Sequence, residues 1–248
     1  MPKFFVEDNQ IEGNTIVIQG TDVNHIKNVL RYKVGQEIEI TSKESSQGYI
    51  CKIKQLMEDK IYCEIMQKEE ACKEPKVHIH ILQGLPKADK MELIIQKCTE
   101  LGVKEITPIA MSRCVVKLDA KEALKKQERW QKIAEVAAKQ CAREAIPKIN
   151  SVHNLKNVYE LLEKYDILLV AYEKEEVHTL KQVIENIKSL NKEGLKIAIL
   201  IGPEGGIDEK EIEMLENAQV ITLGKRILRT ETVALVLSSI LMYELGDL

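Results

Sequence analysis

At 248 residues, with 44% hydrophobic and 30% charged residues, the chain can bury a sizeable core, and its composition excludes a disordered or low-complexity protein. No run approaches the roughly 18 apolar residues that a membrane helix needs. Residues 1–10 lack the charged-then-apolar pattern of a signal peptide, so the expected location is the cytoplasm. The net charge of −3 is unevenly spread: residues 76–150 carry 15 Lys and Arg against 9 Asp and Glu, whereas residues 151–248 carry 11 against 17. A basic RNA-facing surface would produce this segregation, and so would Lys-rich solvated helix faces. Six cysteines, Cys51, Cys63, Cys72, Cys98, Cys114 and Cys141, are irregularly spaced with no C-x-x-C pair. That spacing predicts free thiols, with neither a disulfide framework nor bound metal.

In chain order, strands are expected at 15–19, 37–41, 49–55 and 60–66, where apolar residues alternate or are β-branched between turn residues such as Gly13 and Gly35. A helix over 25–30, capped by Asp22 or Asn24, interrupts them. These elements predict a small β-barrel of about 70 residues. A charged linker at 68–76 ends this part. Strands at 77–83, 106–110, 167–171, 197–201 and 220–223 then alternate with helices at 87–101, 120–142, 181–189, 209–216 and 233–245. Continuous apolar strands such as 196–201 suit a parallel sheet covered on both faces, so the fold class is α/β. His78 and His80 are expected on opposite faces of their strand, in structural roles.

Two loops concentrate chemistry. Ile201-Gly202-Pro203-Glu204-Gly205-Gly206-Ile207-Asp208 follows a strand and opens a helix, where parallel α/β folds bind ligands. Its glycines would let the backbone approach a ligand, while Asp208 and Glu211 form a capping box. No dinucleotide or ATP phosphate motif is present. Leu223-Gly224-Lys225-Arg226-Ile227-Leu228-Arg229-Thr230-Glu231-Thr232 also follows a strand. Ile227 and Leu228 could line an adenine pocket, and Arg226 and Arg229 could hold a phosphate or carboxylate. Alternatively, Thr230 caps the last helix and the arginines pair with Glu204 and Glu231. A third cluster, Ser112-Arg113, Lys117 and Gln140-Cys141-Ala142-Arg143, is either a contact to RNA or a solvated helix face.

Together these segments resemble the ribosomal RNA small subunit methyltransferase E family of the SPOUT methyltransferases. The resemblance also rests on His25-Ile-Lys-Asn-Val-Leu-Arg31, Lys33-Val-Gly35, Leu85-Pro-Lys87, Lys90-Met-Glu-Leu-Ile94 and Thr99-Glu-Leu-Gly-Val103. It implies a PUA-like RNA-binding β-barrel over 1–72 and a SPOUT α/β domain over 73–248 with a C-terminal trefoil knot. It further implies S-adenosylmethionine as methyl donor, a homodimer, and methylation of N3 of a uridine in small-subunit (16S) ribosomal RNA.

By position, the resemblance puts Ile201, Gly202, Glu204, Gly205 and Gly206 on one wall of the cofactor pocket. Leu223, Gly224, Ile227, Leu228 and Arg229 form the other wall, with Thr232 at the floor and Val170, Ala171 and Tyr172 nearby. Arg229, Arg226, Glu204, Glu231 and Arg143 are the implied catalytic candidates, as bases or as anion stabilisers. Arg31, Lys33, Lys87, Arg113, Lys117, Gln140 and Arg143 are the implied RNA contacts. Three positions depart from the family pattern: Cys141 for serine, Ala88 for glycine, and Val233 for alanine beside the pocket. Two rival expectations remain, a non-catalytic RNA-binding or ribosome-assembly protein, and a SPOUT enzyme acting on tRNA or a ribose hydroxyl.

Overall fold

Period-two alternation builds the first sheet. β3 (Thr15–Gln19) turns Ile16 and Ile18 inward, β4 (Glu37–Ser42) Ile38 and Ile40, β5 (Gly48–Leu56) Cys51 and Ile53, and β6 (Lys60–Lys68) Ile61 and Cys63. The computed structural model describes residues 3–69, 74–156, 158, 164–215, 217–246 and 248; Cys72 and part of the expected linker lie outside them. β1 (Lys3–Val6) and β2 (Ile11–Glu12) complete a curled six-stranded sheet in the order β1-β4-β5-β6-β3-β2, antiparallel except where β1 meets β4. Sequence reading missed both. All four residues of β1 are buried, so it shows no alternation, and β2 has only two residues.

The helix expected over 25–30 starts earlier. α1 (Thr21–Asn24) runs into a π-helical turn, His25–Val29. Neither Asp22 nor Asn24 caps it: the Asp22 carboxylate takes the Lys139 ammonium on both oxygens at 2.9 Å, a stronger partner than a backbone N–H.

Lys139 belongs to this first compact unit, which comprises Met1–Glu74 and Ala138–Ile146. Sequence reading assigned that second segment to the C-terminal domain. α3 (Ala120–Gln140) stops before the expected position 142, and Ala142 adopts φ 59°. Arg143 therefore has no helical register. Its guanidinium grips Glu74, with Nη2 2.5 Å from Oε2 and Nε 3.2 Å from Oε1, and Glu74 also accepts the N–H groups of Glu144 and Ala145 at 3.0 Å. Burial raises the Glu74 pKa, but these contacts outweigh it and hold the carboxyl below its ordinary range.

The second unit, Pro75–Ala137 with Pro147–Leu248, is built on an all-parallel sheet. β7 (His78–Gly84), β8 (Glu105–Ala110), β10 (His153–Asn154), β11 (Ile167–Ala171), β12 (Lys196–Ile201) and β13 (Gln219–Ile221) run in the order β10-β8-β7-β12-β11-β13, and β9 (Lys148–Ile149) pairs with β8. Its helices include α2 (Lys90–Glu100), most of α3, α4 (Leu180–Ser189), α5 (Glu209–Glu213) and α6 (Thr230–Leu245). α4 shows the packing logic. Leu180, Val183, Ile184 and Ile187, spaced for one face, are buried, and a Thr179–Gln182 capping box starts the helix. α6 packs on α2.

His78 and His80 correct the sequence reading. Residues two apart on a strand share a face, and both imidazoles turn towards Glu105 and Tyr165. His80 is fully buried between the Tyr165 hydroxyl, 2.5 Å away, and the Thr107 hydroxyl, 2.7 Å away. Burial pushes its pKa down to about 4, so it is a neutral structural group at neutral pH.

Among the described residues no group of side chains could hold a metal ion, and no helix is long and apolar enough to cross a membrane. Cys51, Cys63, Cys98, Cys114 and Cys141 are free thiols.

Candidate active site

The C-terminal ends of β11, β12 and β13 open into a cavity of about 1070 Å³ in the second unit. Its first wall is the loop after β12. Gly206 takes φ 72°, and its N–H closes a turn on the Pro203 carbonyl at 2.9 Å. A Cβ on Gly205 would lie 2.9 Å from the Arg113 carbonyl oxygen, and one on Gly202 would lie 2.8 Å from Ile207 Cγ1. The loop's own packing thus requires glycine at these two positions, which also line the cavity. Arg113 braces the loop from outside, with Nη2 3.1 Å from Asp208 Oδ2 and Nη1 3.3 Å from the Gly205 carbonyl.

The expected capping box is present: Asp208 accepts from the Lys210 N–H at 3.1 Å, and Glu211 accepts from the Asp208 N–H at 3.2 Å. Acids therefore already fill the N-terminus of α5.

The second wall is the segment between β13 and α6. The cap of α6 corrects the sequence reading. Arg229 holds the N-cap position and makes no side-chain cap, while the Thr230 hydroxyl donates to the Gly202 carbonyl at 2.7 Å and accepts from Gln83 Nε2 at 2.8 Å. One hydroxyl thereby ties both loops to β7. Glu204 and Glu231 likewise pair with a lysine where arginines were expected. Lys90 Nζ lies 2.9 Å from Glu204 and 3.2 Å from Glu231. Glu204 also accepts the Lys87 N–H at 3.0 Å. Burial raises the Glu204 pKa, and Lys90 together with backbone N–H groups reverses that, leaving the carboxyl below its ordinary range.

Gly205 and Leu228 line the same cavity, which therefore joins the two loops. Ala171, Tyr172, Ile201, Gly202, Glu204, Gly206, Leu223, Gly224, Arg226, Ile227 and Arg229 line it too. Ile227 does so from the rim, with 88% of its surface exposed. Val170 is buried inside the sheet and Thr232 does not reach the lining; Thr230 and Val233 occupy that side instead.

Of the expected RNA contacts, Arg31, Lys33, Lys87, Lys117 and Gln140 are exposed, whereas Arg143 is buried on Glu74. Sequence reading missed Lys90, Glu173, Glu175 and Thr179, all on the lining. The position just past β11 could have flagged the two glutamates, as it did Tyr172. Nothing local marks Lys90.

Ala88, where the family prefers glycine, has φ 52°. Replacing it with glycine relieves a left-handed backbone. Ala88→Gly is expected to stabilise the fold by about 1 kcal/mol, read as a higher urea midpoint at unchanged slope; an equal or lower midpoint contradicts this.

A family model described as an RNA methyltransferase domain matches residues 73–242, and one for the RNA methyltransferase PUA domain matches residues 18–66. These are the two modules of an RNA methyltransferase. The ribosomal RNA small subunit methyltransferase E of Bacillus subtilis is 38% identical over 98% of this chain and 97% of its own length. The chain belongs to the ribosomal RNA small subunit methyltransferase E family. A crystal structure of the Neisseria gonorrhoeae family member, bound to S-adenosylmethionine, matches with a TM-score of 0.84 and 28% identity, covering 100% of this chain and 99% of that one. A Legionella pneumophila structure described as a putative methyltransferase with bound S-adenosylmethionine matches with a TM-score of 0.78 and 26% identity over 99% and 98% of the two chains.

Proposed function

We propose that this chain methylates N3 of a uridine in 16S ribosomal RNA, using S-adenosylmethionine held between the two loops. The observation that carries this reading is the single cavity shared by residues 202–206 and 223–229. The residues present fit the donor. The cavity exceeds the roughly 300–1,000 Å³ usual for one small ligand, which leaves room for a nucleoside cofactor and part of a target base. Glu173, Glu175 and Glu204 line it, carboxylates suited to a sulfonium and an ammonium, while Arg226 and Arg229 suit a carboxylate or an anionic base. When bound, S-adenosylmethionine supplies an electrophilic methyl group.

N3 must lose a proton for methylation to occur. Glu204 makes a poor base, because its lone pairs already serve Lys90 and the Lys87 N–H. Glu231 shares the same Lys90 ammonium, so the assignment is that N3 gives its proton to solvent water while Arg229, helped by Arg226, stabilises the resulting uridine anion. Arg143, committed to Glu74, leaves the set of catalytic candidates in this reading. Because N3 lies on the pairing edge, the target uridine must be unpaired or extruded. The domain at residues 1–72 would grip RNA through the exposed Arg31 and Lys33, and the domain at 73–248 would carry the reaction.

Two finer expectations belong to the same reading. β13 lies at the sheet edge, three strands from β7, yet Thr230, nine residues after Ile221, bonds Gln83 of β7. The chain recrosses the ends of β11 and β12 beside Gly202, which supports a trefoil knot. α6 is apolar nearly all round, with Tyr243 72% exposed and Val236 half-buried. That unburied apolar face supports a homodimer, and the cytoplasm, where ribosomal RNA is made, is the proposed location.

The test is incubation with labelled S-adenosylmethionine and small-subunit RNA, followed by nucleoside mass spectrometry. Label in 3-methyluridine is the expected result. Label only in a ribose methyl, label only in a parallel incubation with tRNA, or none at all, selects the rival enzyme or the assembly protein.

A further inference from the structure

Lys90, the first residue of α2, reaches into the cavity, where its ammonium stands between two carboxylates from two different elements: Glu204 of the glycine loop at 2.9 Å and Glu231 of the first turn of α6 at 3.2 Å. All three side chains are largely shielded, at 26%, 25% and 14% exposure. Glu204 is further fixed by the Lys87 N–H. Without the ammonium, two carboxylates would face each other across the junction of the two cavity walls. Like charges in a partly dry site repel until one takes up a proton.

We propose that Lys90 is a positioning residue, a charged pin that holds Glu204 and Glu231 side by side so that the cavity is already formed before S-adenosylmethionine arrives. This rests on the cofactor reading given above. The other titratable groups near the trio are the Cys114 thiol, which feels the Glu204 charge, and, around the cavity, Glu173, Glu175, Arg226 and Arg229. No other lysine or arginine shares the Glu204–Glu231 pairing among the described ion pairs. In the intact protein the low Glu204 pKa keeps that carboxyl charged from neutral pH to below its ordinary range. Removing Lys90 takes away its lowering contacts and leaves only the backbone N–H groups against burial and the neighbouring Glu231 charge, so the protonated form of Glu204 enters at higher pH than in the intact protein.

The test is calorimetric titration of S-adenosylmethionine into the wild-type chain, Lys90→Met and Lys90→Arg, at several pH values from about 5.5 to 8. Wild-type affinity should be nearly flat with pH. Lys90→Met should bind about tenfold more weakly at neutral pH, a change equivalent to one decade of Kd, and should weaken further as pH falls. Lys90→Arg should recover to within about threefold and restore the flat profile. A Lys90→Met protein that binds as the wild type does, or that weakens equally at every pH, overturns the proposal. So does an arginine variant no better than the methionine one. If the wild-type chain itself binds no S-adenosylmethionine, the cofactor reading fails instead. Thermal melts of both variants identify misfolding, and if Lys90→Met does not fold, the arginine variant's affinity and pH profile decide the matter.

Discussion

Arg229→Ala is expected to reduce turnover by about a hundredfold or more while leaving S-adenosylmethionine affinity within about threefold of the wild type. Arg229 lines the cavity at the N-cap of α6, with its side chain exposed and forming no cap. It is a fixed positive charge ready for a negative charge that develops only during reaction. An interaction made mainly in the transition state lowers kcat without weakening ground-state binding. Single-turnover methylation and calorimetry on the same preparation separate the two quantities. Near-normal turnover refutes the assignment, and a parallel loss of affinity makes Arg229 a binding residue.

Thr230→Val should damage the fold and the site together. The variant keeps the shape of the side chain but removes a hydroxyl that is 6% exposed and bonded on both sides. The Gly202 carbonyl and the Gln83 amide are then left buried with one fewer partner each, and a buried unsatisfied polar group costs about 1–3 kcal/mol. Gln83 already carries a buried Oε1 with no hydrogen-bond partner, so its amide has little freedom to turn elsewhere. A drop in melting temperature of roughly 2–12 °C follows for a chain of this size. KM for S-adenosylmethionine should rise as the two loops lose their shared anchor. Thr230→Ser, which keeps the hydroxyl, should recover most of both effects. Unchanged melting and KM in Thr230→Val would show that the loops are held by something else.

The local signals in the sequence were faithful wherever periodicity or capping chemistry decides structure. The four strands with alternating isoleucines, the apolar run of β12 and the Asp208–Glu211 capping box all lie where neighbouring residues place them. What stayed hidden depends on partners distant in sequence. β1 is buried along its whole length, so it carries no period-two signature. From sequence, Arg143 reads as an RNA contact or part of a solvated helix face. A positive φ at Ala142 and the distant Glu74 remove it from that helix face. The two cavity loops were legible because each pairs a strand end with unusual composition. Their junction was not, because Lys87 and Gln83, with Lys90 beside Lys87, reach it across 117 and 147 residues of chain, at the Lys87–Glu204 and Gln83–Thr230 bonds. Likewise, that Gly202 and Gly205 are also required by Ile207 and Arg113 packing against the loop could not be seen in the loop's own residues.

The central claim is that the loops after β12 and β13 together enclose one methyl donor. Titrating S-adenosylmethionine into the purified chain, with Gly205→Val as the control, tests it most directly. The valine side chain would collide with the Arg113 backbone and displace the first wall. One saturable site per chain in the wild type, lost or strongly weakened in Gly205→Val, is the predicted result. Equal binding by both proteins, or no binding by the wild type, would contradict it.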